Sequence, residues 1–214
     1  MKIFIYGDSN TCGYEPNING YQKNAKQSFY DEDVVWWHSL TKNNTVLVNA
    51  LCGRGINNKN PWLENRNAMQ TVQKDICGIN PDLIIVMLGT NDLKGIYKED
   101  AKSVAYNMEC LIEKLKNISK CACFLVISPP KILENNELTR KYYLGAEDKS
   151  VKLDLLYKKL CEKHGYNFVS GLNLEVGEDG EHLTKNGHQQ LSQKVLQKVN
   201  ENKKEKPRNA KVVK

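Results

Sequence analysis

Short runs of apolar residues recur along the chain, and each run is bounded by residues that favour turns. Runs of this length and composition are typical of β-strands. Because the runs are continuous rather than alternating, we expect strands that are buried on both faces of a sheet. The five predicted strands are Ile3 to Tyr6, Val46 to Ala50, Leu83 to Leu88, Cys123 to Ser128 and the weaker Asn167 to Val169.

The segments between and after these strands carry apolar residues at the spacing of helices. Strand and helix therefore alternate along the chain, which predicts right-handed crossovers, a parallel sheet and helices on both of its faces. The predicted fold class is α/β, with a five-stranded parallel sheet in a three-layer α/β/α domain. The helical stripes are Val104, Met108, Leu111, Ile112, Leu115 and Ile118, then Leu153, Leu156 and Leu160, and finally Leu191, Val195 and Val199.

The composition is that of a globular protein. A chain of 214 residues with 40% hydrophobic and 26% charged residues is expected to form one domain, and it is neither disordered nor collagen-like. No apolar run approaches the roughly 20 residues that a membrane span needs. The apolar stretch at Ile3 to Tyr6 is also shorter than the core of a secretory signal, about 7–15 residues. We therefore expect a cytoplasmic protein.

The net charge of +6 is concentrated at the C-terminus. Residues 203 to 214 contain six lysine and arginine residues against Glu205 alone, which leaves the rest of the chain nearly neutral. We interpret this end as a solubilising tail, and the distribution of charge disfavours nucleic-acid binding. The predicted organisation is a domain over residues 1–200 followed by a basic tail over residues 201–214.

The seven cysteines include no Cys-x-x-Cys pair and no paired histidine spacing. A structural zinc site and a disulfide framework are therefore disfavoured, and reduced thiols are expected.

Polar residues follow the first three predicted strands, and the carboxyl ends of the strands are where ligands bind in open α/β sheets. The first strand leads into Gly7-Asp8-Ser9-Asn10-Thr11, the second into Gly53-Arg54-Gly55, and the third into Gly89-Thr90-Asn91-Asp92. The chain lacks the Gly-x-Ser-x-Gly turn of ordinary α/β-hydrolases and the glycine motifs that bind nucleotides. Neither of those functions is supported.

A carboxylate and a histidine stand three residues apart just before the last helix, at Asp179 and His182. At this spacing the carboxylate can accept a hydrogen bond from the ring and fix its tautomer, although a simple surface turn has the same pattern. Among the other histidines, His38 is assigned a packing or loop contact, His164 a structural role at a helix end, and His188 no chemistry.

Taken together, these segments resemble the four conserved blocks of the SGNH, or GDSL-type, hydrolase superfamily. The first block is matched by Gly7 to Thr11, the second by Gly53, the third by Gly89 to Asp92, and the last by Asp179 to Thr184. Their order and the α/β/α pattern agree over nearly the whole chain, and Gly-Asp-Ser-Asn-Thr is most similar to the arylesterase-like branch. The resemblance implies the flavodoxin-like fold of that superfamily.

The resemblance also implies the chemistry of a serine esterase. Ser9 would be the nucleophile, His182 the general base and Asp179 the residue that orients His182. The oxyanion hole would consist of the backbone N–H groups of Ser9 and Gly53 and the side-chain amide of Asn91. The substrate would be a small-molecule carboxylic ester with an acetyl or other acyl group. Its hydrolysis would proceed through an acyl-enzyme intermediate and give an acid and an alcohol, with no metal or cofactor.

Two further hypotheses concern residues near these blocks. Glu181 departs from the apolar or small residue that the family often has there, and its charge is expected to raise the pKa of His182 and to favour activity at higher pH. Cys12 and Cys52 are close in sequence to Ser9 and Gly53, so alkylation of these thiols is expected to slow the enzyme unless they only fill space.

Two alternative functions stay open at this stage. Asp8, Asp92, Asp179 and His182 have the donor atoms of a metal-dependent phosphoesterase, which EDTA would inhibit, although Asp8 and Asp92 can equally hydrogen-bond the turns they belong to. A noncatalytic binding protein that uses its basic tail would instead show steep salt dependence.

Substrate choice depends on two loops, predicted over Cys12 to Asp31 and Lys131 to Ala146. Four tyrosines in these loops are candidates for lining a pocket or for local packing; they are Tyr14, Tyr21, Tyr142 and Tyr143.

Overall fold

A computed structural model of the protein describes residues 1–20, 26–57, 65–120 and 122–205, the last four of these as backbone only. Five parallel strands form one sheet in the order β2-β1-β3-β4-β5. The predicted α/β class and the five predicted strands are confirmed. The strands are β1 (Lys2–Gly7), β2 (Thr45–Ala50), β3 (Leu83–Met87), β4 (Cys123–Ile127) and β5 (Asn167–Val169).

Helices connect the strands and cover both faces of the sheet. The three predicted apolar stripes lie on α3, α5 and α6, as the pattern indicates. The helices are α1 (Ser9–Cys12), α2 (Ala68–Asp75), α3 (Ala101–Ile118), α4 (Glu137–Tyr143), α5 (Ala146–His164) and α6 (Lys185–Glu205), and three short 3-10 helices lie at His38–Asn43, Asn91–Leu93 and Gly95–Tyr97.

Alternate residues of each central strand contribute to two separate hydrophobic cores. In β1, Phe4 and Tyr6 pack with α2, α3 and α5, whereas Ile3 and Ile5 pack with α6 and with the segment around Trp36. This division follows from the period-two geometry of a strand, and it explains why the central strands are apolar throughout.

Burial on both faces, expected for all five strands, is wrong for the two edge strands. In β2, Leu47 and Val48 are 38% and 37% exposed, and in β5 Asn167 and Phe168 are half-buried. A strand at the end of a sheet has a neighbour on one side and is covered less completely. An apolar run does not distinguish an edge strand from a central one.

The loop predicted over Lys131 to Ala146 is also partly wrong, because it contains α4. This helix is capped by Asn136, whose side chain accepts a hydrogen bond from the Thr139 N–H at 2.9 Å. It buries Thr139 and Tyr143, too few residues to produce a visible apolar period. The first predicted loop lies partly outside the described residues, which omit 21–25 and hence Tyr21.

Helix α6 continues to Glu205, so the first residues of the predicted tail are helical, and residues 206–214 lie outside the described part of the chain. In that described part, no helix combines the length and apolar character needed to cross a membrane.

Candidate active site

Ser9 is the first residue of α1, and only Asp8 separates it from the end of β1. The Asp8 side chain caps this short helix by accepting a hydrogen bond from the Asn10 N–H at 3.0 Å. A Cβ at Gly7 would lie 2.1 Å from Thr11 Oγ1, so only glycine lets the helix turn back so closely over the strand. The Ser9 N–H belongs to the first turn of α1 and has no acceptor within that helix.

His182 and Asp179 lie in the connection between β5 and α6 and reach Ser9 from the far end of the chain. His182 Nε2 is 2.9 Å from Ser9 Oγ, and His182 Nδ1 is 2.7 Å from Asp179 Oδ2. A carboxylate beside Nδ1 favours the tautomer that carries its proton there, which leaves Nε2 able to accept the hydroxyl proton. The Tyr14 ring packs against the imidazole with 4.5 Å between the ring centroids.

The Asp179 carboxylate is buried and hydrogen-bonded on both oxygens. Asp179 Oδ1 accepts from the His182 N–H at 3.1 Å, and Asp179 Oδ2 accepts from the Asn17 N–H at 2.8 Å. Burial alone would raise the pKa of Asp179, but the bond and charge of His182 and these backbone N–H groups hold the pKa below its ordinary value. The carboxylate is therefore charged at neutral pH.

The His182 imidazole sits among acidic groups. Burial disfavours the charged ring, but the charge of Glu181, the bond to Asp179 and the charges of Asp179 and Asp8 outweigh that effect and raise the pKa of His182 above its usual range. This direction agrees with the one expected for Glu181 from the sequence.

Gly53 and Asn91 follow β2 and β3, the two strands on either side of β1. Gly53 has φ +79°, and a Cβ there would lie 3.1 Å from Arg66 Nη1, so a side chain would be both strained and crowded. The Asn91 amide is held by a bond from its Nδ2 to the Arg54 carbonyl at 3.1 Å and by Lys94 Nζ, which donates to Asn91 Oδ1 at 2.9 Å. The amide nitrogen carries a second N–H.

All five site residues predicted from the sequence line one cleft of about 220 Å³. Of the four loop tyrosines, Tyr14 lines this cleft and Tyr143 is buried behind Glu181, whereas Tyr142 does not line it. The lining residues are Ser9, Gly53, Asn91, Asp179 and His182, with Tyr14, Asn17, Gly20, Gln27, Cys52, Arg66, Lys94 and Glu181.

Lys94 lines the cleft and was not identified from the sequence. Tyr143 Oη donates to Glu181 Oε2, and Lys94 Nζ lies 5.5 Å from the centre of the Tyr143 ring. Burial lowers the pKa of Lys94. These contacts join α4 to the loops after β3 and β5, and the only sequence clue was the position of Lys94 three residues after Asn91.

Arg54 fastens the turn that carries Gly53 to the end of β1. Its Nη1 donates to the carbonyl oxygens of Gly7 and Asn49 at 3.1 and 2.6 Å, and its Nη2 donates to Asn49 Oδ1 at 2.7 Å. The guanidinium is fully buried and lies 4.1 Å from the centre of the Tyr6 ring. From the sequence, only the glycines of this turn had an expected role.

Asp8 and Asp92 hydrogen-bond the turns of the site. Asp92 accepts from the Ile56 N–H at 2.9 and 3.0 Å and from the Asn57 N–H at 3.3 Å, so the loop after β3 holds the loop after β2. Burial raises the pKa of Asp8 to about 7 and that of Asp92 to about 6. Among the residues that the structure describes, no three histidine, cysteine, aspartate or glutamate side chains are arranged to hold a metal ion.

None of the remaining histidines lines the cleft. His164 ends α5, where Gly165 adopts φ 69° and caps the helix, as the sequence indicated. His188 is buried, with its ring edge-on to Tyr30, and burial lowers the pKa of His188 to about 4.

Residues 5–190 match the family model described as the GDSL-like lipase/acylhydrolase family. No curated protein matches the sequence.

Solved structures share the fold over almost the whole chain. The aryl esterase of M. smegmatis is 23% identical with a TM-score of 0.84, and Est24, a carbohydrate acetylesterase from Sinorhizobium meliloti, is 21% identical with a TM-score of 0.82. Each match covers 94% of this chain and 98% of the other. A variant of Axe2, an acetyl-xylooligosaccharide esterase from Geobacillus, is 15% identical with a TM-score of 0.65, covering 92% of this chain and 93% of that one.

Proposed function

The chain belongs to the GDSL-like lipase/acylhydrolase family and hydrolyses ester bonds, and we propose that Ser9, His182 and Asp179 carry out this reaction. The observation that carries the proposal is the unbroken chain of contacts from Ser9 Oγ to His182 at 2.9 Å and from His182 to Asp179 at 2.7 Å. A serine hydroxyl is a weak nucleophile at neutral pH and needs an adjacent base of this kind.

In the first half of the reaction, Ser9 Oγ attacks the carbonyl carbon of the ester while its proton moves to His182 Nε2. Asp179 stabilises the resulting imidazolium without taking the proton itself. His182 then returns the proton to the leaving alkoxide, and the acyl group stays on Ser9. In the second half, His182 takes a proton from water as the water oxygen attacks the acyl carbon. The bond from that carbon to Ser9 Oγ then breaks, Ser9 Oγ recovers the proton from His182, and the acid leaves.

The negative oxygen that forms during both steps is stabilised by the N–H groups of Ser9 and Gly53 and by the Asn91 amide. These donors come from the ends of three adjacent strands, and their positions are set by Asp92 and Arg54 before substrate arrives. Donors placed in advance are worth most in a cleft that excludes water, and removing one such donor typically costs about 10²–10³ in kcat.

The substrates that we propose are small to medium carboxylic esters with a short acyl group. The cleft of about 220 Å³ is smaller than the roughly 300–1,000 Å³ typical of sites for drug-sized ligands. The aryl esterase and the carbohydrate acetylesterase that share the fold are consistent with this class.

A panel of p-nitrophenyl esters from acetate to octanoate tests the proposal with the wild type and with Ser9→Ala. We expect the short esters to be preferred and Ser9→Ala to lose about 10⁴–10⁶ in kcat. Ser103→Ala, a half-buried residue in the first turn of α3 that does not line the cleft, is the matched control and should keep full activity. A fluorophosphonate should label the peptide that contains Ser9.

Activity in EDTA should equal that in buffer, since each step uses only groups of the chain and water. Retention of activity by Ser9→Ala, or a label on another peptide, would contradict the proposed nucleophile.

A further inference from the structure

The guanidinium of Arg66 lines the cleft beside the turn that carries Gly53. Its Nη1 and Cδ atoms lie 3.1 and 3.6 Å from the place where a Cβ of Gly53 would stand. The side chain therefore runs directly past the α-carbon of Gly53. This brings a positive charge next to one of the three donors proposed for the oxyanion hole.

The backbone on both sides of the Arg66 side chain is held by hydrogen bonds. The Gly55 N–H donates to the Arg66 carbonyl oxygen at 3.0 Å, and the Ala68 N–H donates to the Gly55 carbonyl oxygen at 3.0 Å. Asn67, the next residue, is buried and caps α2 by accepting a hydrogen bond from the Gln70 N–H at 3.2 Å. The side chain of Arg66 thus reaches the cleft from a fixed point of the chain.

The charge of Arg66 is not neutralised by the protein. In the part of the chain that the structure describes, no carboxylate forms an ion pair with Arg66. The two carboxylates that line the cleft are bound to other groups, since Asp179 is 2.7 Å from His182 and Glu181 accepts a hydrogen bond from Tyr143. Arg66 is half-buried, so its charge is partly withdrawn from water without a counter-ion in return.

A second cation faces the same cleft but is already engaged. Lys94 Nζ donates a hydrogen bond to Asn91 Oδ1 at 2.9 Å. Burial lowers the pKa of Lys94, the charges of Glu181 and Asp8 oppose this, and the charge of Arg66 adds to it. The two cations therefore repel each other across the cleft, and a bound anion would relieve that repulsion. Of the two, Arg66 has the donors to bind it.

We propose that the ester hydrolysed at this site carries a carboxylate group and that Arg66 binds this group. The inference rests on the proposed function of Ser9 and His182, and it adds the charge of the substrate to that function. A guanidinium presents its N–H groups in a planar fork that matches the two oxygens of a carboxylate. The cleft of about 220 Å³ suits an ester of few carbon atoms.

The carboxylate lies close to the ester bond in this arrangement. Gly53 is a proposed donor to the ester carbonyl oxygen, and the Arg66 guanidinium is beside Gly53. Only a few bonds can therefore separate the carboxylate from the ester carbonyl. The carboxylate belongs either to the acyl part, as in a half-ester of a dicarboxylic acid, or to the alcohol part, as in an acyl ester of a hydroxy acid.

Two pairs of esters that differ in charge and hardly in shape test the inference. Monoethyl succinate and ethyl succinamate place a carboxylate or its neutral amide on the acyl part, whereas acetoxyacetate and acetoxyacetamide place them on the alcohol part. The release of acid is followed by titration at constant pH. We expect the wild type to have at least about a tenfold higher kcat/KM for the carboxylate than for the amide in one pair, as a hydrogen bond to a charged group contributes roughly that factor.

Two substitutions assign the preference to the guanidinium. Arg66→Gln should bring the ratio of kcat/KM between carboxylate and amide close to one, mainly by raising KM for the carboxylate. Arg140→Gln removes the same charge from an exposed position of α4 outside the cleft and should keep the ratio of the wild type. Arg66→Lys keeps the charge but loses the planar fork, so its ratio should be intermediate.

A ratio close to one in both pairs for the wild type would overturn the inference. An Arg66→Gln enzyme that loses the same factor on the carboxylate and on the amide would overturn it as well, because the guanidinium would then act on the ester group that all four compounds share. If the wild type hydrolyses the p-nitrophenyl esters without a preference for a carboxylate, only this inference fails. If it hydrolyses neither set of esters, the proposed function fails with it.

Discussion

The side-chain amide of Asn10 is hydrogen-bonded to the backbone on both sides of His182. Its Nδ2 donates to the Glu181 carbonyl oxygen at 3.2 Å, and its Oδ1 accepts from the Leu183 N–H at 2.9 Å. Asn10 is fully buried and follows Ser9 in the chain. One side chain therefore sets the distance between the proposed nucleophile and the proposed base.

Asn10→Ala is expected to lower kcat by about 100-fold with a smaller change in KM. The substitution frees the loop that carries His182, and a misplacement of about 1 Å is enough for an effect of this size. Steady-state kinetics on a short p-nitrophenyl ester measures the change, with Asn173→Ala, exposed in the same β5–α6 connection, as the control. A folded Asn10→Ala enzyme with the wild-type kcat would show that the Asn10 side chain does not align His182 with Ser9.

Asp179→Asn is expected to lower kcat by about 10⁴-fold. The amide has nearly the same shape, but it no longer stabilises the imidazolium and it permits the wrong tautomer of His182. The control is Asp148→Asn, at an exposed residue in the first turn of α5, which should leave kcat unchanged. A loss smaller than tenfold would argue against Asp179 as the orienting residue.

Glu181→Gln should move the acid limb of the kcat/KM profile to lower pH. Hydrolysis requires neutral His182, and the negative charge of Glu181 raises the pKa of that ring, so removing the charge lets the ring deprotonate at lower pH. The glutamine keeps an oxygen that can accept from Tyr143, and activity on the alkaline plateau should change little.

The control for this change is Glu178→Gln, an exposed residue in the same loop that should leave the profile in place. If the acid limb of Glu181→Gln stays fixed or moves to higher pH, the charge of Glu181 does not raise the pKa of His182.

Arg54→Ala should destabilise the fold by about 3–5 kcal/mol. The change removes a donor from the carbonyl oxygens of Gly7 and Asn49, removes the cationic partner of Asp75 and opens a cavity under Tyr6. Urea unfolding measures the free energy of unfolding, and Lys74→Ala, on the exposed side of α2, should stay within about 0.5 kcal/mol of the wild type. If both variants have nearly the same free energy of unfolding, the buried Arg54 guanidinium contributes little to stability.

The sequence by itself determined the fold class, the strands and the residues proposed to react. Apolar runs and helical stripes depend on short-range periodicity, and turns such as Gly7-Asp8-Ser9 owe their shape to a tight glycine and a local side-chain cap. Asp179 and His182 are three residues apart, so their contact is also local. Features with such short-range causes can be predicted from the sequence alone.

Only the tertiary structure decided which strand ends are neighbours and what lies between them. The order β2-β1-β3 places Arg54 under the end of β1, and the packing of α4 brings Tyr143 to Glu181. These contacts join residues far apart in the chain through side chains that follow no period. Their energies depend on burial and on the exact packing of neighbouring elements, which exist only once the sheet has assembled.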